Sequence, residues 1–135
     1  MNAAVFDTNV VVSGILSPSG IPGRLLDAIL DGLCRPVVTD SIMAEYEDVL
    51  CRPKFHFPPA RIHLLLDVIR SCALSAPSFL LRFDAPLPDP DDAVFLEAAA
   101  SLNVPLVTGN GKYFPRRCVG EIRVLTPSAF FQQLR

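Results

Sequence analysis

No apolar run in this sequence reaches the roughly 18 residues that a membrane-spanning helix needs. The opening Met1-Asn2-Ala3-Ala4-Val5 lacks the basic region and small-residue cleavage pattern of a secretory signal, so the expected compartment is cytoplasmic and no membrane is expected as a partner. Paired cysteines are missing as well. Cys34, Cys51, Cys72 and Cys118 lie far apart and form no CxxC, which argues against a zinc ribbon or thiol-redox motif and predicts reduced, partly buried small hydrophobes. An excess of basic residues is also lacking: 12 Lys and Arg face 14 Asp and Glu, for a net charge of −2. Phosphate binders usually carry the opposite imbalance, so any such function must rest on where charges fall. What the chain does have is apolar residues in half of its 135 positions, enough to fill the core of a single domain spanning residues 1–135.

Along the chain, Ala3 to Val12 is a β-branched run interrupted by Asp7, Thr8 and Asn9 where a buried strand should stay apolar. A loop rich in Ser, Pro and Gly follows from Ser13 to Gly23. Leu25, Leu26, Ile29, Leu30 and Leu33 then recur at helical spacing. A short strand around Pro36 to Thr39 leads, through Asp40 or Ser41 as N-cap, into a helix carrying Ile42, Met43, Tyr46, Val49 and Leu50 on one side. Glu45 lies in its first turns. After Pro53, Pro58 and Pro59 a longer helix is predicted from about Ala60 to Ala73, and Phe79 to Phe83 is a third strand candidate. Pro88-Asp89-Pro90-Asp91-Asp92 opens the next helix, with Pro90 suited to its first position. Val104 to Thr108 is a buried strand ending in the Gly109-Asn110-Gly111 loop. A last strand, Ile122 to Leu125, and a helix from Pro127 complete an α/β pattern with a mainly parallel sheet.

In an open parallel sheet, ligands sit beyond the carboxyl ends of the strands. Asp7, the Asp89 to Asp92 turn and Thr108 to Asn110 all fall at that edge, and Glu45 joins them from the helix after the second strand. Carboxylates brought together repel one another and drift toward protonation unless a cation neutralises them. Mg²⁺ or Mn²⁺ suits such hard oxygen ligands, stabilises phosphoryl oxygens and activates water for attack on a phosphodiester. Each acid also has a plainer reading. Asp7 could organise a turn with Thr8 and Asn9, Glu45 could be a solvated first-turn residue, and Asp89, Asp91 and Asp92 could cap or favour a helix N-terminus. Their shared edge is what favours a metal site.

These same segments resemble the PIN-domain family, and within it the stand-alone proteins grouped with VapC-like toxins of toxin–antitoxin pairs. The resemblance covers nearly the whole chain. Val5-Phe6-Asp7-Thr8-Asn9-Val10 is similar to the family's opening strand, with Asp7 as first acid and Thr8 and Asn9 as polar support. Ala44-Glu45 matches the second acid. Asp89-Pro90-Asp91-Asp92 followed by Phe95-Leu96-Glu97-Ala98-Ala99 resembles the segment supplying the third, with Asp92 as first choice and Asp89 as assistant. Leu106-Val107-Thr108-Gly109-Asn110 resembles the fourth motif, where many members carry Asp; Asn110 offers an amide oxygen without charge, so a second metal would be held more weakly than the first. The resemblance implies a PIN-like three-layer sandwich, RNA cleavage at an Mg²⁺ or Mn²⁺ site, a homodimer and a possible antitoxin partner.

Lys112, Arg116 and Arg117 follow the fourth motif and could grip RNA phosphates, with Tyr113 or Phe114 available to stack on an unpaired base; the alternative is a solvated basic loop. His56 and His63 are read as surface or packing residues. Two rival functions stay open. One is a PIN-fold RNA-binding or interaction module with weak or no turnover. The other is a phosphotransfer domain with Asp7 as nucleophile, although Asn9 stands where its usual second aspartate would be.

Overall fold

The computed structural model describes residues 2–77 and 85–134. The first strand, β1 (Ala3–Phe6), is shorter than the β-branched run suggested, because helix α1 (Thr8–Leu16) begins immediately after Asp7. Val10, Val11 and Val12 are therefore helical. Their weak helix propensity is overridden by burial, since all three sit in the core. The expected loop from Ser13 to Gly23 narrows accordingly, because helix α2 (Ile21–Leu30) already starts at Ile21 with Pro22 near its N-terminus.

Strand β2 (Arg35–Val38) leads into α3 (Asp40–Leu50), whose cap is Thr39 rather than Asp40 or Ser41: the Thr39 hydroxyl accepts from the Ile42 amide at 3.1 Å. Asp40 instead points outward and pairs with Arg70 at 3.6 Å. Helix α4 (Pro59–Cys72) runs straight into β3 (Leu74–Ser75). The strand expected at Phe79 to Phe83 lies outside the described residues. A short 3₁₀ turn, Pro90–Asp92, opens α5 (Ala93–Leu102), and β4 (Leu106–Val107), α6 (Arg116–Val119), β5 (Val124–Leu125) and α7 (Pro127–Gln133) follow.

Among the described residues the strands form one five-stranded, all-parallel sheet in the order β3-β2-β1-β4-β5. Its chain path runs outward from β1 to one side, then returns to β4 on the other. Helices cover both faces, as the alternation along β1 requires: Val5 faces a core shared with Ile42, Tyr46 and Leu50 of α3, Ile62 and Leu66 of α4, and Phe95 and Leu96 of α5. Ala4 and Phe6 face a second core with Leu25 and Ile29 of α2 and Phe130 of α7. Phe130 meets Phe6 edge-on, ring centroids 5.8 Å apart. Two of the leucines expected inside, Leu30 and Leu33, are more than half exposed at 53% and 59%, because α2 ends there and the chain turns into β2. All four cysteines are free; Cys34 and Cys118 are buried and Cys51 is exposed. Among the described residues no helix is long and apolar enough to cross a membrane.

Candidate functional site

The order in which strands are added reverses at β1, and the crevice this creates opens between the carboxyl ends of β1 and β4. Asp7 directly follows β1 and Thr108 directly follows β4, so the register that pairs Phe6 with Val107 also brings these two side chains together. The Thr108 hydroxyl donates to Asp7 Oδ2 at 2.7 Å, and Asn9 Nδ2 donates to the same oxygen at 3.2 Å. Asn9 also ties down the opposite loop, its Oδ1 accepting from the Gly109 amide at 3.3 Å. Asn110 contributes through its backbone, whose amide donates to the Thr108 hydroxyl at 3.0 Å. Asp7 is thus locked from Oδ2, and Oδ1 is left without a side-chain partner among the described residues.

Asp7 is 8% exposed, and burial raises its pKa against the pull of the Thr108 hydroxyl and the adjacent Thr8 and Asn9 amides. Beside it the Thr8 hydroxyl is buried with no hydrogen-bond partner among the described residues. Such an atom ordinarily costs stability unless something satisfies it.

Glu45 reaches the crevice from α3. Burial raises its pKa, as do Asp48, Asp91 and Asp7, with Arg52 opposing. Asp92 enters from the turn before α5 and is pushed up to about 7, first by burial and then by Asp7, Asp89, Glu45 and Asp91. These mutual effects show that acids from three distant segments converge. They are neighbours in field rather than a closed cage: among the described residues no three Asp, Glu, His or Cys side chains stand ready as a metal-ligand set.

The other expected residues divide. Asp89 is exposed, and its Oδ1 caps the short turn by accepting from the Asp91 amide at 3.0 Å. Lys112 lies over the ring of its neighbour Tyr113, 5.3 Å from the centroid, while Arg116 and Arg117 are exposed at the start of α6. Phe114 is only 3% exposed and belongs to the core, so of the two aromatics only Tyr113, at 39%, is open to a base. His56 and His63 are exposed, and His63 lines a groove of about 430 Å³ between α3 and α4 with Asp40, Glu47 and Asp67. Two contributors were not singled out from the sequence. Asp91 was read as a helix-end acid, yet it acts on both Glu45 and Asp92. Tyr46 was read as a core residue, yet its buried hydroxyl donates to the Phe6 carbonyl immediately before Asp7.

A five-stranded parallel sheet flanked by helices on both faces defines an α/β class, and comparison with known proteins gives the family. The PIN domain family model matches residues 3–112, so this chain belongs to the PIN-domain family, a family of nucleases. An uncharacterised protein of Methanocaldococcus jannaschii is 26% identical over 141 aligned positions, covering 96% of this chain and 89% of its own length. Among solved structures, a chain of VapBC2 from Rickettsia felis, bound to a DNA fragment from their promoter, superposes with a TM-score of 0.61 at 16% identity, covering 92% of this chain and 98% of that one. That likeness is one of fold.

Proposed function

We propose that this chain is a divalent-metal-dependent endoribonuclease, a single PIN-like domain whose Asp7, Glu45 and Asp92, assisted by Asp89, hold Mg²⁺ or Mn²⁺ and hydrolyse RNA phosphodiesters. The observation that carries the reading is the gathering of acids at Asp92: burial first, and then Asp7, Asp89 and Glu45 together with its neighbour Asp91, push its pKa up to about 7. Carboxylates are seldom gathered at such a cost unless they serve a charge of opposite sign. The donor set fits the ion. It is all oxygen, as Mg²⁺ and Mn²⁺ favour, and the orphaned Thr8 hydroxyl adds a buried oxygen beside Asp7 that a ligand's hydration shell could satisfy.

A bound ion would polarise a phosphoryl oxygen and ease deprotonation of the attacking water. The protein's own part is positional. Asp7 is locked through Oδ2 by Thr108 and Asn9, which leaves its carboxylate little freedom to turn away. Glu45 and Asp92, both partly exposed, are the groups able to accept the proton that the water gives up. Lys112, Arg116 and Arg117 would hold the RNA backbone, and Tyr113 would stack on an unpaired base. The family and the VapBC2 likeness support a toxin paired with an antitoxin, and in this reading it works in the cytoplasm as a homodimer. Leu16, Leu30 and Leu33, each more than half exposed, supply apolar area that a second copy or an antitoxin would cover.

The test is cleavage of a fluorescent single-stranded RNA with Mn²⁺, Mg²⁺ or EDTA by wild type and by an Asp7→Asn/Asp92→Asn variant purified in parallel. Metal-dependent cutting by wild type alone is expected. Equal cutting by the variant would remove both acids from the reaction, and binding without cutting by wild type would favour the non-catalytic module.

A further inference from the structure

A hydrogen bond from a side chain outside the acid cluster joins the end of β1, one residue before the first acid, to the helix that carries the second. Tyr46 follows Glu45 on α3 and is almost fully buried, 1% exposed. Its hydroxyl donates to the carbonyl of Phe6, the last residue of β1 and the one before Asp7. The ladder explains why that carbonyl is free to accept. In the β1–β2 register Ala3 pairs with Arg35 and the Arg35 amide donates to the Asn2 carbonyl, so the Phe6 carbonyl would be answered by the Thr39 amide. But β2 ends at Val38, and Thr39 turns away to cap α3. Tyr46 takes the vacant rung, and in doing so clamps α3 to the strand end that carries Asp7.

We propose that Tyr46 is a positioning residue, whose hydroxyl bond to the Phe6 carbonyl fixes Glu45 against Asp7 and so sets the site's affinity for its cation. The inference rests on the metal-site reading above. Without the hydroxyl, the hydrophobic ring would still anchor α3, but the helix could slide or rotate by a fraction of an ångström over the strand end. Metal sites feel such shifts: loss of an orienting partner behind the ligands typically weakens binding by 10- to 100-fold.

The experiment is calorimetric titration of Mn²⁺ into wild type, Tyr46→Phe, Asp7→Asn, and a core control, Leu66→Ala on α4. Tyr46→Phe is expected to weaken Mn²⁺ binding by about tenfold with an unchanged circular dichroism spectrum, whereas Leu66→Ala lowers the melting temperature and leaves the affinity of the folded protein alone. Wild-type affinity in Tyr46→Phe, or equal weakening in Leu66→Ala, overturns the positioning role. Absence of any wild-type binding that Asp7→Asn removes overturns the metal-site reading itself, and the positioning role with it. Should Tyr46→Phe not fold, 3-fluorotyrosine incorporated into wild type gives the same answer, since the chain has two tyrosines, Tyr46 and Tyr113, and Tyr113→Phe assigns them. The Tyr46 ¹⁹F resonance should shift and saturate with added Mg²⁺; a resonance that stays fixed while Mg²⁺ binds overturns the proposal.

Discussion

Burial first, and then Asp7, Asp89, Glu45 and Asp91, work against ionising Asp92 in the metal-free protein, and its pKa rises from 3.8 to about 7 as a result. The linkage has a definite sign. Between those values the folded state holds a proton that the unfolded chain has released, so the stability contributed at this position falls as pH rises through the window and stays low above it. Solvent screening of a partly exposed group reduces the effect to roughly 1–2 kcal/mol. In EDTA, wild type should therefore melt a few degrees lower at pH 7.5 than at pH 4.5 on this account, and Asp92→Asn should melt higher than wild type at pH 7.5 while matching it near pH 4. A variant no more stable than wild type at pH 7.5 would show that the acids do not oppress Asp92. In the presence of Mn²⁺ the order should reverse, because only wild type gains binding energy from the ion. Asp7 and its supports were readable as a strand-end motif, but the division of labour among them was not. Asn110 serves through its backbone amide, and Phe114 is core, because both assignments depend on which way a loop turns after β4.

At the scale of elements, the α1–α2 corner decides whether the first acid's helix packs at all. A Cβ on Gly23 would sit 2.1 Å from the Pro18 carbonyl oxygen and 2.4 Å from its carbon, both backbone atoms that cannot swing aside. Gly23→Ala should therefore cost about 2–4 kcal/mol by forcing the loop off α2, read by urea denaturation. A cost below about 0.5 kcal/mol would mean that the corner is free to rearrange. The Thr39 cap is a milder case: Thr39→Ala should cost about 1 kcal/mol, with the largest effect on α3. Helices α2 to α5 were readable from their apolar spacing and from Pro and Asp starts. The α1 helix was not, because Val10-Val11-Val12 carries strand propensity and only the close packing of the chain after Asp7 bends it into a helix. The two-residue strand β3 was likewise unreadable, since Leu74-Ser75 has no pattern of its own and is defined by pairing with Val37 and Val38.

For the molecule as a whole, a net charge of −2 gives no general attraction to RNA, so binding must depend on local cations. In an Asp7→Asn background, where cutting is expected to be lost, replacing Arg116 and Arg117 with alanine should weaken single-stranded RNA binding and flatten the log affinity against log salt plot by about 1.4, or about 0.7 per lost phosphate contact. Fluorescence anisotropy across a salt series measures this, and an unaltered slope would return both arginines to the solvated surface. The sequence by itself determined the alternation of strands and helices, the parallel sheet and the acids at strand ends and helix starts, because periodicity and capping chemistry are local. Only the tertiary structure decided that Asp7, Glu45 and Asp92, from segments dozens of residues apart, act on one another, that Asp91 joins them, and that Tyr46 ties the first to the second. Those facts follow from strand order and register, which are set by long-range pairing and carry no mark in the local spelling of the chain.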